Sequence, residues 1–530
     1  MRARTRLKRS ARRARLRVWR VQRKSRQARH RLLPASLAAT QVVDGFDYWA
    51  YRHELQRDVS AALTRANVEH LVLDDRLLAR PLVVIRRADF ARARAALAAD
   101  PRTATCAAAQ CVNSVTGPPA RVRVAQPLFT HTSGLLVTRN LIAPTGVPLV
   151  HPEWGVLIDL WDDAATARFA PAGGTPPPSA LVARTPNGVV GHVTETVWRQ
   201  AQREDHRLPA RPPHLLEVAE PVDLVYTWVN GSDPAWQQRK ARYLGGGLSI
   251  AAHSADSAIG ARFENRDELR FSLRSVQSYA NWVRHIWIVT DQQVPGWLRT
   301  DHPRLTVVDH RDIFSDPAAL PSFNSHAIES QLHHIPGLAN LYVYLNDDVM
   351  FGSPVRPENF FHGNGLVKFF ASSAPVEPRE PSGHDVAVTA AAKNNRALIE
   401  HALGRTITSK LRHGPMPQSV ALLTMLEAEQ PELFDRVMRA RFRRRSDNAI
   451  ASSLAQYYGF ARGLAVPGRL RTGYLDVANP LAEHVLERWL RGRDYHSLCL
   501  NDSGTDDPRV NALLTDFFDA YFPLPSEWER

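Results

Sequence analysis

Cysteines and long apolar stretches are scarce in this chain of 530 residues. The 3 cysteines are too few and too scattered for a disulfide framework or for paired CxxC zinc sites; they are Cys106, Cys111 and Cys499. A reducing cytoplasm therefore fits the cysteine usage best. No run of about 18 or more apolar residues occurs, so we predict no transmembrane helix.

Acidic residues are absent from positions 1–31, which contain fifteen Lys or Arg. Removing these fifteen from the 67 basic residues leaves 52, against 53 acidic ones, so the net charge of +14 belongs to this end of the chain. We expect residues 1–35 to form a disordered basic arm. The arm lacks the apolar segment and the small-residue cleavage site of a secretory signal.

The arm is either a solvated segment without a partner or a segment that binds a polyanion, for which an anionic membrane surface is the favoured candidate. Each cation close to such a surface contributes ~1 kcal/mol of attraction. Nucleic acid is the weaker alternative, because no stacking aromatic side chains are interleaved along the following sequence. We therefore expect a cytoplasmic protein, peripheral at the inner face of the cell membrane, that binds no specific nucleic acid.

The apolar content of 44% supplies enough material for more than one domain. Residues 36–210 alternate short apolar runs with Ala/Arg-rich stretches, which predicts a smaller N-terminal α/β domain of unknown role. Strands are expected near His70, Pro81 and Trp154, and a helix at Asp89–Ala98. The acids of this domain either end strands or form a second metal site; they are Asp74, Asp75, Asp159, Asp162 and Asp163.

A proline-rich break at 207–213 precedes a second domain, residues 211–530. Its pattern predicts strands at 222–228, 285–291, 305–309 and 341–345, and helices at 268–279 and 325–335. Beyond Val388 the pattern becomes mainly helical. The predicted fold class is therefore α/β, with a helical C-terminal part and the smaller N-terminal α/β domain.

Carboxylates and amides follow two of the predicted strands, in VDLVYTWVNGSDP at 222–234 and LYVYLNDDVMFG at 341–352. Open α/β sheets bind ligands just beyond the carboxyl ends of their strands, so these two ends predict a metal and phosphate site. Asp347 and Asp348 offer hard oxygen ligands suited to Mg²⁺ or Mn²⁺, and Asn346 could bind the ligand or a metal-bound water. Alternatively, the Asn-Asp-Asp turn only caps the strand.

Two further segments carry candidate ligand-binding side chains. Asn230, Gly231 and Asp233 form a tight turn whose amide groups could meet a nucleotide, unless this is an Asx turn beside a core tryptophan. Arg270 lies away from the apolar stripe of its predicted helix and could form a bidentate contact with phosphate. The alternatives are a solvated helix face, or an ion pair of Glu268 with Arg270 or a nearby residue.

Polar residues also crowd the beginning of the helix predicted at 325–335, where His326, Glu329 and His333 share one face and Asn324 precedes it. Asn324 and His326 are candidates for binding the same ligand. A zinc site is conceivable, but HExxH is absent, and hydrogen-bonded histidines on the helix surface are the expected alternative.

Four ordered blocks extend from Pro221 to the C-terminus. They are VDLVYTWVNGSDPAW, then FENRDELRFSLRSV through FNSHAIESQLHHIPGL to YLNDDVMFG, then HGPMPQ to FRRRSD, and finally NPLAEHVLERWLRGRDYHSLCLND. In this order the blocks resemble the Stealth family of sugar-phosphate transferases, which includes bacterial capsule-polymerising phosphotransferases. The first 210 residues show no such resemblance.

The resemblance implies a Rossmann-like nucleotide-sugar transferase core that depends on a divalent cation, Mg²⁺ or Mn²⁺. It implies that a sugar 1-phosphate passes from a UDP-hexose or UDP-N-acetylhexosamine to a hydroxyl of a cell-surface glycan acceptor, with release of UMP. Side chains of the first two blocks would then bind the nucleotide-sugar donor: Asn230, Gly231, Asp233, Arg270, Asn324, His326 and Asn346.

The later blocks would supply the catalytic groups. His413, in the constrained segment HGPMP, stands at the family's third-block position, and imidazole is the natural base for an acceptor hydroxyl near neutral pH. Arg443 matches the family arginine and would stabilise charge on the phosphate. Its neighbours Arg444 and Arg445 depart from the small or proline residues expected there.

The metal is expected to bind Asp347 and Asp348, with Asp348 also counted among the catalytic residues. Asp502 follows the apolar run SLCL and either completes the metal shell or simply ends a strand.

Two other functions remain open on the sequence alone. A metal-dependent glycosyltransferase uses similar carboxylates, but it breaks the bond at the anomeric carbon and releases UDP. A non-catalytic glycan- or membrane-binding protein could keep the same fold. The joint presence of Asp347, Asp348, His413 and Arg443 favours an enzyme.

Overall fold

The structure is a computed structural model, and it describes residues 40–73, 78, 80–112, 120–122, 132–167, 169, 175–184, 187–209, 211–244, 266–501 and 508–530. The basic arm and the acids Asp74, Asp75 and Asp502 lie outside these residues. Two compact units are present: one includes Arg52–Ile142 and Pro148–Pro209, and the other combines Ala210–Arg530 with Val43–Tyr51 and Ala143–Val147. No helix in the described residues has the length and apolar character needed to cross a membrane.

The first unit is built on a mixed sheet with the strand order His192–Val193, Leu181–Val182, Val156–Asp163, Thr132–Thr138, Ala107–Val112, Ala120–Val122. Leu82–Arg86 pairs in parallel with Val156–Asp163 and antiparallel with His70–Leu73, and Gln41–Val42 pairs with Leu141–Ile142. Helices in this part of the sequence are Tyr48–Arg65, Phe90–Ala99 and Glu195–Arg203. The strands predicted near His70, Pro81 and Trp154 are confirmed.

The acids of this unit that the structure describes have other partners. Arg87 Nε lies 2.6 Å from Asp162 Oδ1, and Arg86 Nη1 lies 3.0 Å from Asp163 Oδ1. Burial raises the pKa of Asp159 to about 6, and Asp159 accepts a hydrogen bond from the indole of Trp161. These contacts satisfy the carboxylates without a cation, so nothing in them supports the second metal site.

The second unit contains the sheet that positions the candidate site. Its main strands are β1 (Val222–Thr227), β2 (Ile286–Thr290), β3 (Leu305–Asp309), β4 (Leu341–Asn346), β5 (Val349–Phe351), β6 (Met416–Ser419), β7 (Thr472–Asp476) and β8 (Ser497–Asn501). Its helices are α1 (Pro234–Leu244), α2 (Glu268–Tyr279), α3 (Ser325–Glu329), α4 (Ala387–Leu403), α5 (Val420–Glu429), α6 (Pro431–Met438), α7 (Ala455–Ala461), α8 (Ala482–Gly492) and α9 (Pro508–Tyr521). Two short pairs complete it, Val367–Phe369 with Ala465–Pro467 and Ala371–Pro375 with Ser409–Leu411.

The core sheet has the order β3-β2-β1-β4-β6, in which β1 to β4 are parallel and β6 is antiparallel to β4. Consecutive residues of β4 from Leu341 to Leu345 are buried, as expected for a strand covered on both faces. The chain leaves β1 to build β2 and β3 on one side, then returns to build β4 on the other. This reversal opens a crevice between the carboxyl ends of β1 and β4.

The C-terminal part carries helices α4 to α9, and besides the strand expected at SLCL, which is β8, it contains strands that the sequence did not predict. Strand β6 includes Pro417, which reads as a strand breaker, but β6 occupies the edge of the core sheet, where proline is tolerated. Strands β5, β8 and β7 form a separate three-stranded sheet. In it, Val349 pairs with Cys499, so β8 lies next to the acidic turn that follows β4.

Candidate active site

The carboxyl ends of β1 and β4 meet in register, with Thr227 opposite Asn346. The Thr227 hydroxyl lies 3.0 Å from the Tyr344 hydroxyl, which in turn donates a hydrogen bond of 2.8 Å to Asn346 Oδ1. Buried polar groups of this kind require partners, and here the partners are one another. The hydrogen bonds fix the Asn346 amide at the edge of the crevice.

His413 continues this chain of hydrogen bonds. Its Nε2 lies 3.2 Å from Asn346 Nδ2, and its Nδ1 lies 2.9 Å from the sulfur of Cys499. The Cys499 thiol donates to Asp348 Oδ2 at 3.4 Å. The imidazole of His413 is exposed, whereas Cys499 is buried beneath it. The sequence-predicted residues Asn346, Asp348 and His413 are therefore brought together.

Three carboxyl groups gather beside His413. Limited access to water and the neighbouring carboxyls of Glu268 and Asp348 raise the pKa of Asp347 well above its usual range. Burial, with a contribution from Asp348, raises the pKa of Glu268 to about 7. Asp348 Oδ1 is itself buried and has no hydrogen-bond partner among the described residues. Arg266 Nη1 lies 4.0 Å from Glu268 Oε1, but one guanidinium does not balance three carboxyl groups.

The cluster fits a divalent cation. Ligand atoms of Asp348, His413 and Cys499 lie within 4.8 Å of one another. The carboxylate oxygens of Asp347 and Asp348 suit Mg²⁺ or Mn²⁺, and a cation bound to them would satisfy the unpartnered Asp348 oxygen. The thiol and imidazole are softer donors, which suit zinc better than magnesium.

Arg443 lies on the other side of the β4 end. One of its terminal nitrogens donates a hydrogen bond of 2.6 Å to the Ser325 hydroxyl. Burial raises the pKa of Tyr344 well above its usual range; the charges of Glu329 and Asp347 add to this rise, and that of Arg443 opposes it. The guanidinium of Arg443 is thus close enough to act on the same hydroxyl as the acids.

Asp447 organises the loop that carries Arg443. Its carboxylate accepts hydrogen bonds from Asn324 Nδ2 at 2.8 Å and from the Arg444 backbone at 2.9 Å. Asn324 is fully buried, and its Oδ1 caps α3 by accepting from the His326 backbone. The contacts of Asn324 are therefore structural.

The helix predicted at 325–335 is interrupted. Helix α3 ends at Glu329, and a separate 3-10 turn follows at Leu332–His334. The Ser330 hydroxyl bonds back to the Ala327 carbonyl, and Gln331 accepts a bond from the Ser315 backbone, so the chain is held out of the helical path.

The buried face of this segment is polar, which corrects the expectation of histidines on a helix surface. His326 is 3% exposed and His333 is 5% exposed. Within the part of the chain that the structure describes, His326 Nδ1 and Glu329 Oε2 are buried without hydrogen-bond partners. Unpaired buried polar atoms are costly, so this face is a candidate ligand-binding surface.

Comparison with protein families agrees with this arrangement. Residues 220–247, 262–369, 412–460 and 488–530 match, in that order, Stealth protein conserved regions 1, 2, 3 and 4. The matched regions contain Asn346, Asp348, His413, Arg443 and Cys499. Residues 220–530 belong to the Stealth family.

Several curated Stealth-like relatives are exopolysaccharide phosphotransferases. One from Streptomyces coelicolor is 48% identical over 317 residues, which cover 59% of this chain and 53% of the relative. CpsY of Mycobacterium tuberculosis is 36% identical over 324 residues, covering 60% of each chain. The matches thus span between about half and three fifths of these relatives.

Among solved structures, a galactosyltransferase, LgtC, solved with donor and acceptor sugar analogues, is 11% identical with a TM-score of 0.30, over 58% of this chain and 98% of LgtC. Mouse xyloside xylosyltransferase 1 is 10% identical with a TM-score of 0.26, over 58% of this chain and 96% of the enzyme.

In the first Stealth region, the turn after β1 is held by its own side chains. Asn230 Oδ1 accepts from the Ser232 backbone, and Asp233 Oδ1 caps α1 by accepting from the Trp236 backbone at 3.0 Å. The amide of Gln293 brackets the turn through both the N–H and the carbonyl of Asn230. This is the Asx turn anticipated as an alternative. Gly231 lies within it, and its carbonyl accepts from a glutamine of α1.

In the second Stealth region, Arg270 is engaged in an ion pair. Its Nε lies 2.6 Å from Glu529 Oε2, and Arg274 bonds the same carboxylate. Glu268 does not pair with Arg270; it faces the carboxyl cluster, accepts from the Arg266 backbone and lies 4.0 Å from Arg266 Nη1, so its ion pair is with this nearby arginine. Arg270 thus fastens α2 to the end of the chain.

The other cluster of potential metal ligands in the described residues is His333, His334 and Glu427. Both imidazole Nε2 atoms lie next to one oxygen of Glu427, at 2.8 and 2.9 Å. The contacts join the 3-10 turn to α5. These histidines therefore have a sufficient structural partner.

Sequence reasoning missed Glu268 and Cys499 as parts of the site. Glu268 was interpreted only as an ion-pair partner of Arg270 or a nearby residue, because the burial of the first turn of α2 is not visible in the sequence. For Cys499 the sequence did contain an indication, because the apolar run in SLCLND is followed by Asn-Asp, as the run in YLNDD is.

Proposed function

We propose that residues 220–530 transfer a sugar 1-phosphate from a nucleotide sugar, a UDP-hexose or UDP-N-acetylhexosamine, to a hydroxyl of a cell-surface glycan, with release of UMP. The observation that carries this proposal is the hydrogen-bonded chain Asn346–His413–Cys499–Asp348 beside a cluster of carboxyls at the crevice of the sheet. A base and a site for the charge of a diphosphate are thereby adjacent. The names of the relatives support the same class of reaction.

In the proposed reaction, the acceptor oxygen attacks the phosphorus that carries the sugar. A new bond forms between that oxygen and phosphorus, and the bond from phosphorus to the bridging oxygen of UMP breaks. The acceptor proton passes to Nε2 of His413, the atom that Asn346 contacts in the structure. The bond from His413 Nδ1 to Cys499 holds the imidazole in the tautomer with its lone pair on Nε2, where the acceptor hydroxyl would displace the Asn346 amide.

The remaining groups handle charge. Mg²⁺ or Mn²⁺, when bound to Asp347 and Asp348, would neutralise the diphosphate and the leaving phosphate. Arg443 supplies a fixed positive charge close to the phosphate that is transferred. Asp502 is proposed as a further ligand on sequence grounds only. We place the reaction at the cytoplasmic face of the membrane, with residues 1–35 on the anionic lipid.

The proposal is tested by incubating the purified chain with a panel of UDP-sugars and Mg²⁺ or Mn²⁺, and identifying the nucleotide product by mass. UMP that forms only with the cation supports sugar-phosphate transfer. UDP would instead identify a glycosyltransferase. If no UDP-sugar yields either nucleotide in the presence of glycan acceptors, the enzymatic proposal fails.

A further inference from the structure

A basic cleft opens beside the candidate active site. It has a volume of about 570 Å³, and its lining includes Arg412, Arg469 and Arg471 with Phe370, Tyr495 and His496. Among the described residues that line it, none is acidic. We refer to it as the arginine cleft.

The arginines of the cleft have no carboxylate partners in the part of the chain that the structure describes. Arg270 and Arg274, in contrast, both contact the carboxylate of Glu529. Within the described residues, the Arg412 guanidinium donates to the Ala371 carbonyl at 3.2 Å, and Arg469 and Arg471 are exposed. Three uncompensated guanidinium groups around one concave surface produce a positive potential that favours an anionic ligand.

The arginine cleft is continuous with the site through strand β7. Thr472 lines the cleft, and Tyr474 is 53% exposed two residues further on. Alternate residues of a strand face the same side, so these two side chains lie about 7 Å apart on one surface. The ring of Tyr474 stands edge-on to that of His413, with centroids 6.1 Å apart.

The backbone brings the same two places together. Gly414, which follows His413, packs so closely on β7 that a Cβ there would lie 3.2 Å from Thr472 Cγ2. Arg412 precedes His413 and points into the cleft lining. A glycan lying across Thr472 and Tyr474 would therefore place its terminal sugar at His413 and the unit before that sugar over the arginines.

We propose that the arginine cleft binds the phosphodiester of an acceptor glycan that already carries sugar 1-phosphate units. This inference rests on the proposed function, because each transfer would convert an acceptor hydroxyl into a phosphodiester. The glycan produced by one transfer then has one negative charge per added sugar. With its terminal hydroxyl at His413 and its terminal sugar against Tyr474, the last phosphodiester lies in the arginine cleft.

The consequence is that the enzyme prefers its own product as the next acceptor, so it extends a phosphodiester-linked polymer. A neutral glycan would reach His413 without the contacts of the cleft. Guanidinium groups bind phosphate through charge-assisted hydrogen bonds, and the attraction weakens as salt rises.

The test measures binding of two probes to the full-length chain by calorimetry, with EDTA and without nucleotide sugar. One probe is a GlcNAc trimer joined by sugar 1-phosphodiesters, and the other is the neutral chitotriose. We expect the charged trimer to bind at least about tenfold more tightly, and Arg469→Ala/Arg471→Ala to remove about tenfold of that affinity. Arg491→Ala, an exposed arginine on α8 outside the cleft lining, is the matched control and should bind like the unaltered chain.

Equal affinity for the two probes, or an unchanged affinity in the double variant, would overturn the proposal. The variant Arg469→Lys/Arg471→Lys should recover part of the binding, and its melting temperature excludes a folding defect. Vesicles of phosphatidylglycerol and phosphatidylcholine form a separate arm. A double variant that loses vesicle binding but keeps trimer binding would assign the cleft to lipid and refute a glycan site.

Binding without nucleotide sugar also separates this inference from the proposed function. If no UDP-sugar is turned over but the trimer binds in the cleft, the reaction is wrong and the anionic glycan site stands. If UMP is released normally and the double variant accepts the trimer with an unchanged KM, the cleft inference is wrong and the reaction stands.

Discussion

The amide nitrogen of Asn346 lies 3.2 Å from Nε2 of His413, although the two residues are 67 positions apart in the sequence. The contact joins the end of β4, with its acidic turn, to the segment that enters β6. Because Asn346 Oδ1 accepts from Tyr344, its amide nitrogen is directed at the imidazole. The lone pair of His413 Nε2 therefore accepts from Asn346 in the structure, and an acceptor hydroxyl would take the place of this amide to reach the base.

Replacing His413 by alanine should stop transfer without preventing nucleotide-sugar binding. General bases contribute on the order of 10²- to 10⁴-fold in rate, so kcat should fall by that factor. Discontinuous assays of UMP release measure transfer, and calorimetry measures nucleotide-sugar binding, so the two effects are separated. His484→Ala, an exposed histidine on α8, is the control. Normal transfer by His413→Ala would mean that another group is the base.

Changing Asp348 to asparagine should abolish the binding of a divalent cation at the candidate active site. The side chain keeps its shape, but the neutral amide binds a cation poorly and leaves Asp347 and Glu268 with less repulsion. We expect Mn²⁺ to raise the melting temperature of the unaltered chain and to have no effect on Asp348→Asn, because a ligand stabilises only the state that binds it. Asp301→Asn, at an exposed position, should respond like the unaltered chain. An undiminished Mn²⁺ shift in Asp348→Asn would refute the assignment.

Arg443 and Arg444 should differ sharply when each is changed to alanine. Only Arg443 acts on Tyr344 at the end of β4, so its loss should cost about 3 kcal/mol or more of transition-state stabilisation. Arg444 contacts Asp447 through its backbone, which alanine retains. The measurement is kcat/KM for UMP release. A larger effect at Arg444 would show that the wrong guanidinium has been assigned to the phosphate.

The cluster of His333, His334 and Glu427 predicts a pH-dependent stability. Partial burial opposes ionisation of Glu427, but hydrogen bonds from both histidines outweigh it and lower its pKa to about 2. The bond to Glu427 raises the pKa of His334, whereas burial lowers the pKa of His333. We therefore expect His334, and not His333, to carry the positive charge of the pair.

The directions of these pKa shifts determine how the contribution of the cluster to stability changes with pH. The contribution of Glu427 is present above its unfolded pKa of 4.5 and is lost as pH falls towards 2, and that of His334 is present below 6.5 and is lost as pH rises through its higher folded pKa. Glu427→Gln should cost about 1 to 2 kcal/mol of unfolding free energy between these values, and less at alkaline pH. Urea unfolding across pH, with EDTA present, measures this. A pH-independent cost would contradict the ion pair.

The sequence predicted the parts of the site that are local. Asp347 and Asp348 follow an unbroken apolar run, and a strand that ends in acids is visible without knowledge of the fold. His413 was found because proline and glycine surround it and because its block resembles a family.

The remaining contacts depend on packing between distant segments. Cys499 enters the site only because β8 pairs with β5, and nothing near Cys499 in the sequence announces that pairing. The burial of Glu268 depends on the position of the first turn of α2 in the folded chain, which the local sequence does not reveal. The helix predicted at 325–335 failed because side-chain bonds at Ser330 and Gln331 compete with the helical pattern.

The central claim is that the bond that breaks joins the phosphorus next to the sugar to the oxygen that bridges the two phosphates. It is tested most directly with UDP-GlcNAc carrying ³²P only at the phosphorus next to the sugar, together with a glycan acceptor and Mn²⁺. The account predicts that the label appears in the glycan while unlabelled UMP is released. Label retained in UDP, with sugar transferred to the glycan, would contradict it.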